Sequence, residues 1–393
     1  MNNIIDFCHI NTNIEVNTFV GIKFQENKPL VCFPIGFEYD EKSARKDILL
    51  LVKTIKQSKF KINSKEVNNS TYSEKAFAFM AYVNILKDYL AYGYHKENQV
   101  EYKLNSKGKV DYTKTFKTQK SFIQDDSVYY LNFIKRTTNA TQDELISRIH
   151  KFFVYESSKM IGWLFGLNTI LEKPNIRFNK ILFIKTIKNK LSHTFNDRVK
   201  YLFKNMLFII QQSSGNELRK FNEYGIDRFE YVWENLVDKV YGVCNKVKYY
   251  PTTKWIINQN EINSSSLRPD TIMLYNGEIY ILDSKYYKYS ATLKANDLPS
   301  TSSVSKQIIY GEYVSLISNT NKIYNAFIMP FNAKKYGTNE NIIKIGEAFA
   351  SWKNSTKQYE KIQGILIDTK FLMTLGFKFN QKEVKRLSKI ISS

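Results

Sequence analysis

What the sequence lacks narrows the field first. Cysteine is scarce: Cys8, Cys32 and Cys244 are far apart, odd in number and without a CxxC pair. That excludes a disulfide framework and a thiolate zinc site, and fits a reducing cytoplasm. The four histidines, His9, His95, His150 and His193, stand at no metal-ligand spacing and read as ordinary core or surface residues. No apolar run approaches the roughly 20 residues that span a bilayer. The opening MNNIIDFCHINTN has neither the basic start nor the apolar centre of a secretory signal. A cytoplasmic chain with no membrane-spanning segment is expected. No GxxxxGK[ST] loop occurs, so any nucleotide hydrolysis tied to this chain has to come from another one.

Acid is short as well: 37 Asp and Glu stand against 58 Lys and Arg, a net charge of +21 and a pI near 9.5. Such an excess favours a polyanionic partner, nucleic acid or an anionic membrane surface, beyond mere solubility. Apolar residues make up 43% and aromatics 15% of 393 residues, enough to bury the cores of two or three domains.

Along the chain, NTFVGIKF and PLVCFPI predict a hairpin near the start, and EKSARKDILLLVKTIK a helix. TYSEKAFAFMAYVNILKDYLAYG predicts a second helix, with Thr71 and Glu74 at capping-box spacing before it. Residues 96 to about 127 are polar and Lys-rich; KGKVDYTKTF suits a strand or an arm, and DSVYYLNFIK a strand. Thr141 and Glu144 again have capping-box spacing, before a helix with Leu145, Ile149, Phe152 and Met160 on one face. One more helix is expected from about Asn189 to Gln211. QQSSGN then breaks the pattern and marks the main boundary. The expected division is 1–70, an α+β N-terminal region; 71–214, mainly helical with a polar arm; and 215–393, an α/β domain with a central mixed sheet flanked by helices.

The chemistry lies in LRPDTIMLYNGEIYILDSKYYKYS, Leu267 to Ser290. Asn-Gly is a strong two-residue hairpin signal, because both central positions of a type I′ turn need positive φ. A turn at Asn276-Gly277 places Tyr275 opposite Glu278, Met273 opposite Tyr280 and Asp270 opposite Asp283. Such cross-strand neighbours have Cβ atoms about 4.5–5.5 Å apart. Alternation puts Lys285 on the face of Asp283, together with Ile272, Leu274, Ile279 and Ile281, the face expected to be buried. Two carboxylates so placed repel each other, and a divalent cation resolves the conflict. Oxygen ligands suit Mg²⁺, with Mn²⁺ as a substitute. The metal can bind a phosphate oxygen and acidify a water, and the Lys285 ammonium can hold that water or stabilise the transition state. Phosphodiester hydrolysis suits this set. The bland alternative is a salt-bridged hairpin end. A second Asp-x-Lys, Asp368-Thr369-Lys370, lacks an upstream Pro-Asp strand and reads as a strand-end polar cluster.

The order helix, strand, Pro-Asp strand, Asp-x-Lys strand, helix, strand resembles the PD-(D/E)XK (restriction-endonuclease-like) superfamily core. The resemblance implies a metal site at Asp270, Asp283 and the backbone carbonyl of Ser284, with Lys285 catalytic. It also implies an acid from the preceding helix, Glu230 or Glu234, of which Glu234 is favoured. Lys306 and Gln307 take the place of the Lys or Gln of the following helix, without the QxxxY of the RecB-type branch.

More narrowly, RPD…ILDSKYY…KQIIYGEY and FEYVWENLV, with fainter N-terminal segments, resemble the LlaJI-type restriction endonucleases, relatives of the McrC subunit. That kinship implies a DNA-cleaving subunit in antiphage restriction-modification, acting on double-stranded DNA with a separate McrB-like AAA+ GTPase or ATPase and no membrane. Residues 1–214 are expected to engage that NTPase. Arg268, Lys288, Lys306 and Gln307 are the expected DNA contacts, in a basic patch with Lys248 and Lys254, interleaved with Tyr286, Tyr287 and Tyr289. The competing readings are an idle assembly subunit that stimulates the NTPase and a stand-alone repair or mobile-element nuclease.

Overall fold

The two ends of the chain fold together. In the computed structural model, residues 1–76 and 222–393 make one unit and residues 77–221 another. The structure describes residues 9–11, 19–24, 28–62, 70–125, 127–141, 144–167, 171–213, 218, 223–354 and 356–393. The expected three consecutive regions are therefore two units, the first of them discontinuous.

Strand pairing is the reason. In the first unit β1 (His9–Asn11), β2 (Val20–Lys23), β3 (Leu30–Cys32) and β4 (Glu223–Ile226) form a sheet in the order β1-β3-β2-β4. The predicted hairpin is β2 antiparallel to β3, with Ile22 opposite Val31. Its other edge is closed by β4, from two hundred residues later, with Gly21 opposite Gly225. Gly21 has φ +146°, and a Cβ there would lie 2.2 Å from the Tyr224 carbonyl oxygen. Only glycine permits so close a pairing. Helix α1 (Ala44–Ile62) follows, as expected.

The main sheet has five strands: β7 (Thr271–Tyr275), β8 (Glu278–Ser284), β9 (Ile323–Phe331), β11 (Ile362–Asp368) and β10 (Ile342–Ala348), in that spatial order. Its β8-β9-β11 centre is parallel, and both edge strands are antiparallel to their neighbours. Preceding β7 are helix α2 (Glu230–Tyr241) and a separate hairpin, β5 (Lys254–Ile257) with β6 (Asn260–Asn263). Helices α3 (Thr301–Ile317), α4 (Thr369–Leu375) and α5 (Gln381–Ser392) complete a mixed α/β unit.

Tyr310 and Val314 of α3 pack with Ile272, Ile279, Ile281 and Ile323. Met273, Tyr280 and Leu282, on the opposite face, are equally buried. Tyr280 there stacks on Tyr324 and meets Ser388 of α5. The expectation of one buried face is thus corrected: helices cover both, the usual fate of a sheet with a parallel centre. Leu274, expected inside, is 41% exposed near the turn.

The second unit is less helical than expected. The helix Ser70–Tyr92, which starts before its boundary, begins one residue ahead of Thr71, so Thr71 and Glu74 lie inside the helix rather than before it. Strands Glu97–Leu104, Lys109–Val110 and Ile134–Thr141 pair antiparallel, as do Ser121–Gln124 and Ser127–Tyr130. KGKVDYTKTF divides into a short strand and the helix Tyr112–Thr118, capped by Asp111. Thr141 ends a strand, and Glu144 precedes the helix Leu145–Ile161 without a side-chain cap. That helix buries Ile146, Ile149, Phe153 and Ile161; Leu145, Phe152 and Met160 are only partly covered. The expected single helix over Asn189–Gln211 is two, Lys180–His193 and Asp197–Gln211. They are separated where Asn196 caps the second by accepting from Val199 N. Among the described residues no helix is long and apolar enough to cross a membrane.

Candidate active site

The Asn-Gly turn sets the geometry. Asn276 and Gly277 both have positive φ, 49° and 74°. β7 and β8 pair in the predicted register, Tyr275 with Glu278 through Thr271 with Leu282. One step further along that register, Asp270 lies beside the end of β8, where its Oδ2 accepts from Ser284 N at 2.8 Å. The Asp270 and Asp283 carboxyl groups are close enough to share a hydrogen bond. Lys285 N donates to Ile328 O at 2.8 Å, so the strand path continues past its formal end. Alternation then brings the Lys285 ammonium to Asp283, Nζ to Oδ2 2.6 Å.

The electrostatics exceed those of a simple ion pair. Asp270 is pushed up to about 8, first by burial, then by Asp283 and Glu234, against the Ser284 N–H. Glu234 is pushed up to about 6 by burial, then by Asp283 and Glu230. Burial opposes the Lys285 charge, but Asp283 and Asp270 together hold that amine above its ordinary value. The ion pair of the bland alternative is present, yet the Lys285 ammonium is felt by Asp283, Asp270 and Glu234, the last of which also feels Arg228. Of the two α2 glutamates, Glu234 is the one whose charge is felt at Asp270. Glu230 is held by Arg228, whose Nε donates to its Oε1 at 2.7 Å.

Among the described residues no group of three or more His, Cys, Asp or Glu is arranged as a ready metal cluster. Two carboxylates and a backbone carbonyl form a sparser set, of the kind Mg²⁺ takes while keeping its waters. Asp270 and Asp283 fit that role: both are oxygen donors at one strand end, and their mutual repulsion calls for a counter-ion beyond Lys285. Thr271 Oγ1 and Ser284 Oγ, each next to one of the acids, are buried without a hydrogen-bond partner.

The expected DNA contacts divide. Arg268 and Lys306 are exposed and Lys288 is half-buried. Lys306 lies 5.6 Å over the Tyr310 ring. Gln307 is a correction. It is 1% exposed, and its Nε2 donates to Ile281 O at 2.8 Å and to Asn325 Oδ1 at 3.2 Å. Asn325, near the start of β9, needs a polar partner under α3, which draws Gln307 inward and away from any DNA surface. Tyr286 is another. Its ring lies beside Phe229 and Trp233, and its hydroxyl accepts from Ile35 N at 2.7 Å, so it anchors the N-terminal segment.

Sequence reasoning missed Lys246. Its ammonium donates to Asp238 Oδ1 of α2 at 2.8 Å and to the backbone carbonyl of Asp270. It thus ties the loop after α2 to the backbone that carries the first acid. Nothing in the sequence distinguishes it from other loop lysines; only the fold brings it to that carbonyl.

Comparison with known proteins adds to this geometry. The chain is 25% identical over 254 residues to the "Type II restriction enzyme BsuMI component YdjA" of Bacillus subtilis (strain 168), an alignment covering 61% of this chain. The chain spans 55% of that protein's length. A chain of the refined half-complex from a tetradecameric assembly of Thermococcus gammatolerans McrB AAA+ hexamers with bound McrC is also similar. It is 12% identical, with a TM-score of 0.36 and coverage of 91% of this chain and 82% of that one, too low a score to carry an argument. The sequence profile of the LlaJI restriction endonuclease matches residues 19–345. Spanning most of the sequence, that match shows that the chain belongs to the LlaJI restriction endonuclease family.

Proposed function

We propose that this protein is a Mg²⁺-dependent DNA endonuclease of the PD-(D/E)XK type. In this reading it is the cleavage subunit of a McrBC- or LlaJI-like restriction system that hydrolyses phosphodiester bonds of double-stranded DNA with a partner AAA+ NTPase. One observation carries the reading: a half-buried aspartate, Asp270, and a buried one, Asp283, meet at the end of the β7–β8 hairpin with the Lys285 ammonium 2.6 Å from Asp283. The sequence α2, β7, β8, α3, β9 around them, and membership of a restriction endonuclease family, support it.

In this reading Asp270, Asp283 and the Ser284 carbonyl hold the metal, and Glu234 joins from α2. Bound Mg²⁺ supplies positive charge at the scissile phosphate and a more acidic water. The chain does the rest. The acids, once deprotonated, fix where that charge sits. Lys285, held by Asp283, presents a proton-bearing ammonium that orients the attacking water or offsets charge gathering on the phosphate oxygens. Arg268, Lys288 and Lys306 give phosphate contacts that add affinity without sequence information.

The test is cleavage of plasmid DNA by the purified chain with Mg²⁺ or Mn²⁺, with and without the suspected NTPase and GTP or ATP. Cutting that needs the metal and disappears in a folded Asp283→Ala variant is expected. Equal cutting by that variant, or none under any of these conditions, sinks the reading.

A further inference from the structure

The β5–β6 hairpin is an unusual element to find beside such a site. Among the described residues its strands pair only with each other, Lys254 with Asn263, Trp255 with Ile262 and Ile257 with Asn260. Asn258 and Gln259 make its two-residue tip, both with positive φ (50° and 64°). Every residue from 252 to 263 is exposed. A lone two-stranded ribbon is marginal in water, and this one leaves Trp255 63% and Ile256 74% exposed.

Its root, by contrast, is fixed. Ser264 N donates to Thr253 O and Leu267 N to Pro251 O, at 2.8 and 2.9 Å. Just before it, Tyr249 is buried in the core against Ile272. Leu267 is three residues from Asp270. The ribbon extends about 13 Å from this root, more than the roughly 8.5 Å depth of a major groove.

We propose that the β5–β6 ribbon docks in a groove of double-stranded DNA next to the candidate active site; this rests on the DNA-cleaving reading above. Three features favour DNA over a protein partner. A major groove admits a two-stranded ribbon. The tip carries amides at Asn258, Gln259 and Asn260, which offer a donor and an acceptor together, as the edge of adenine requires. The segment 244–269 holds a single acid, Glu261, paired with Lys254 at 2.8 Å, against Lys246, Lys248, Lys254 and Arg268. The apolar face of Trp255, Ile257 and Ile262 then meets thymine methyls and sugars.

The full-length chain, in EDTA so that no cutting occurs, is titrated onto a pool of short fluorescent duplexes with randomised sequence. Asn258→Gly, Gln259→Gly and Asn260→Ser together keep the positive-φ turn and remove its amides. That variant should bind about tenfold more weakly to the duplexes that the parent protein enriches. The slope of affinity against salt should not change, because no charge is lost. Arg268→Ala should instead lower that slope by about one. A photoreactive p-benzoylphenylalanine at position 259 should crosslink to DNA. Crosslinking to a second copy of the chain, or unchanged binding by the tip variant, overturns the ribbon proposal alone if the parent protein still binds and cuts DNA. If the parent protein binds no duplex yet cuts DNA once Mg²⁺ and the NTPase are added, the ribbon proposal alone falls; if it neither binds nor cuts, the nuclease reading falls with it.

Discussion

Two Asp-x-Lys triplets stand at the ends of strands in the same sheet, Asp283-Ser284-Lys285 after β8 and Asp368-Thr369-Lys370 after β11. They differ in what the chain does next. After Asp283 the backbone stays extended for two more residues, so Lys285 returns to the same face and reaches Asp283 at 2.6 Å. After Asp368 a helix begins. Asp368 caps it, accepting from Phe371 N at 2.8 Å and, through its other oxygen, from Ala333 N at 3.0 Å. Lys370 turns away to pair with Asp47 of α1 at 2.9 Å. One triplet is fully used by the fold. The other gathers acids that the fold leaves under-neutralised. The motif alone carries no chemistry; the backbone path after the aspartate does.

The largest expected effect separates the two aspartates. Asp283→Ala should reduce cleavage by roughly a thousandfold or more, while melting at an unchanged or higher temperature, since it relieves Asp270. Asp368→Ala should cost about 2 kcal/mol of stability through the lost cap and the unpaired Ala333 N–H, and leave cleavage per folded molecule intact. Nuclease assays beside thermal melts read both. Equal damage to activity from both changes would erase the difference between the two triplets.

The lysines should divide in the same way. Lys285→Ala is expected to slow cleavage by about a hundredfold. Lys370→Ala should leave the rate unchanged and cost about 2 kcal/mol, because it removes the paired charge from the buried Asp47, which keeps the neutral donors Ser43 Oγ and Asp40 N. Rates under saturating Mg²⁺ and urea midpoints for the two variants make the measurement.

How much of this was legible in the sequence depended on range. The Asn-Gly turn fixed the β7–β8 register because two consecutive positive-φ positions admit few alternatives. The capping signal at Asn196-Asp197 was also present in the letters, but the apolar pattern running across it suggested one helix. Long-range features were not legible. Gln307 looks like a surface residue until Asn325 is placed beneath it, and Tyr286 looks like part of a basic patch until Ile35 arrives from the other end of the chain. The pairing of β2 with β4 depends on two glycines far apart in sequence, and no local pattern announces it. The covering of both sheet faces likewise follows from where distant helices dock.

A smaller effect concerns pH and tests whether the first triplet is under-neutralised. In the folded chain burial and then Asp283 and Glu234 push the Asp270 carboxyl from its ordinary 3.8 up to about 8. Between those limits the folded state binds more protons than the unfolded one, so stability falls as pH rises. Metal-free protein should lose roughly 3 kcal/mol between pH 5 and 8, with Glu234 adding to the fall in the same direction up to its own value of about 6. Melting in EDTA from pH 5 to 9 should show the decline, Asp270→Asn should flatten it, and added Mg²⁺ should restore stability at the high-pH end. A flat profile in the unaltered protein would mean that the acids are already balanced.

The smallest effect is expected from Lys246, which touches the site only through a backbone carbonyl. Its ammonium joins Asp238 of α2 to the Asp270 carbonyl, so it fixes where the first acid starts rather than what that acid does. Lys246→Met keeps the length and the partly buried stem but removes both donors. The Asp270 carboxylate still accepts from Ser284 N, so it should remain near Asp283, less firmly held. Metal affinity should then weaken by about tenfold, as happens when outer partners of a ligand are lost. The rate at saturating Mg²⁺ should barely change. Mn²⁺ binding followed by calorimetry, beside the Mg²⁺ dependence of cleavage, distinguishes this from a general loss of fold. A lower melting temperature with unchanged metal affinity would make Lys246 a brace for the loop after α2. A weaker metal with an intact maximum rate would make it a positioning residue for Asp270, a role for which the Asp368 triplet has no counterpart because its acid is fixed by the helix it caps.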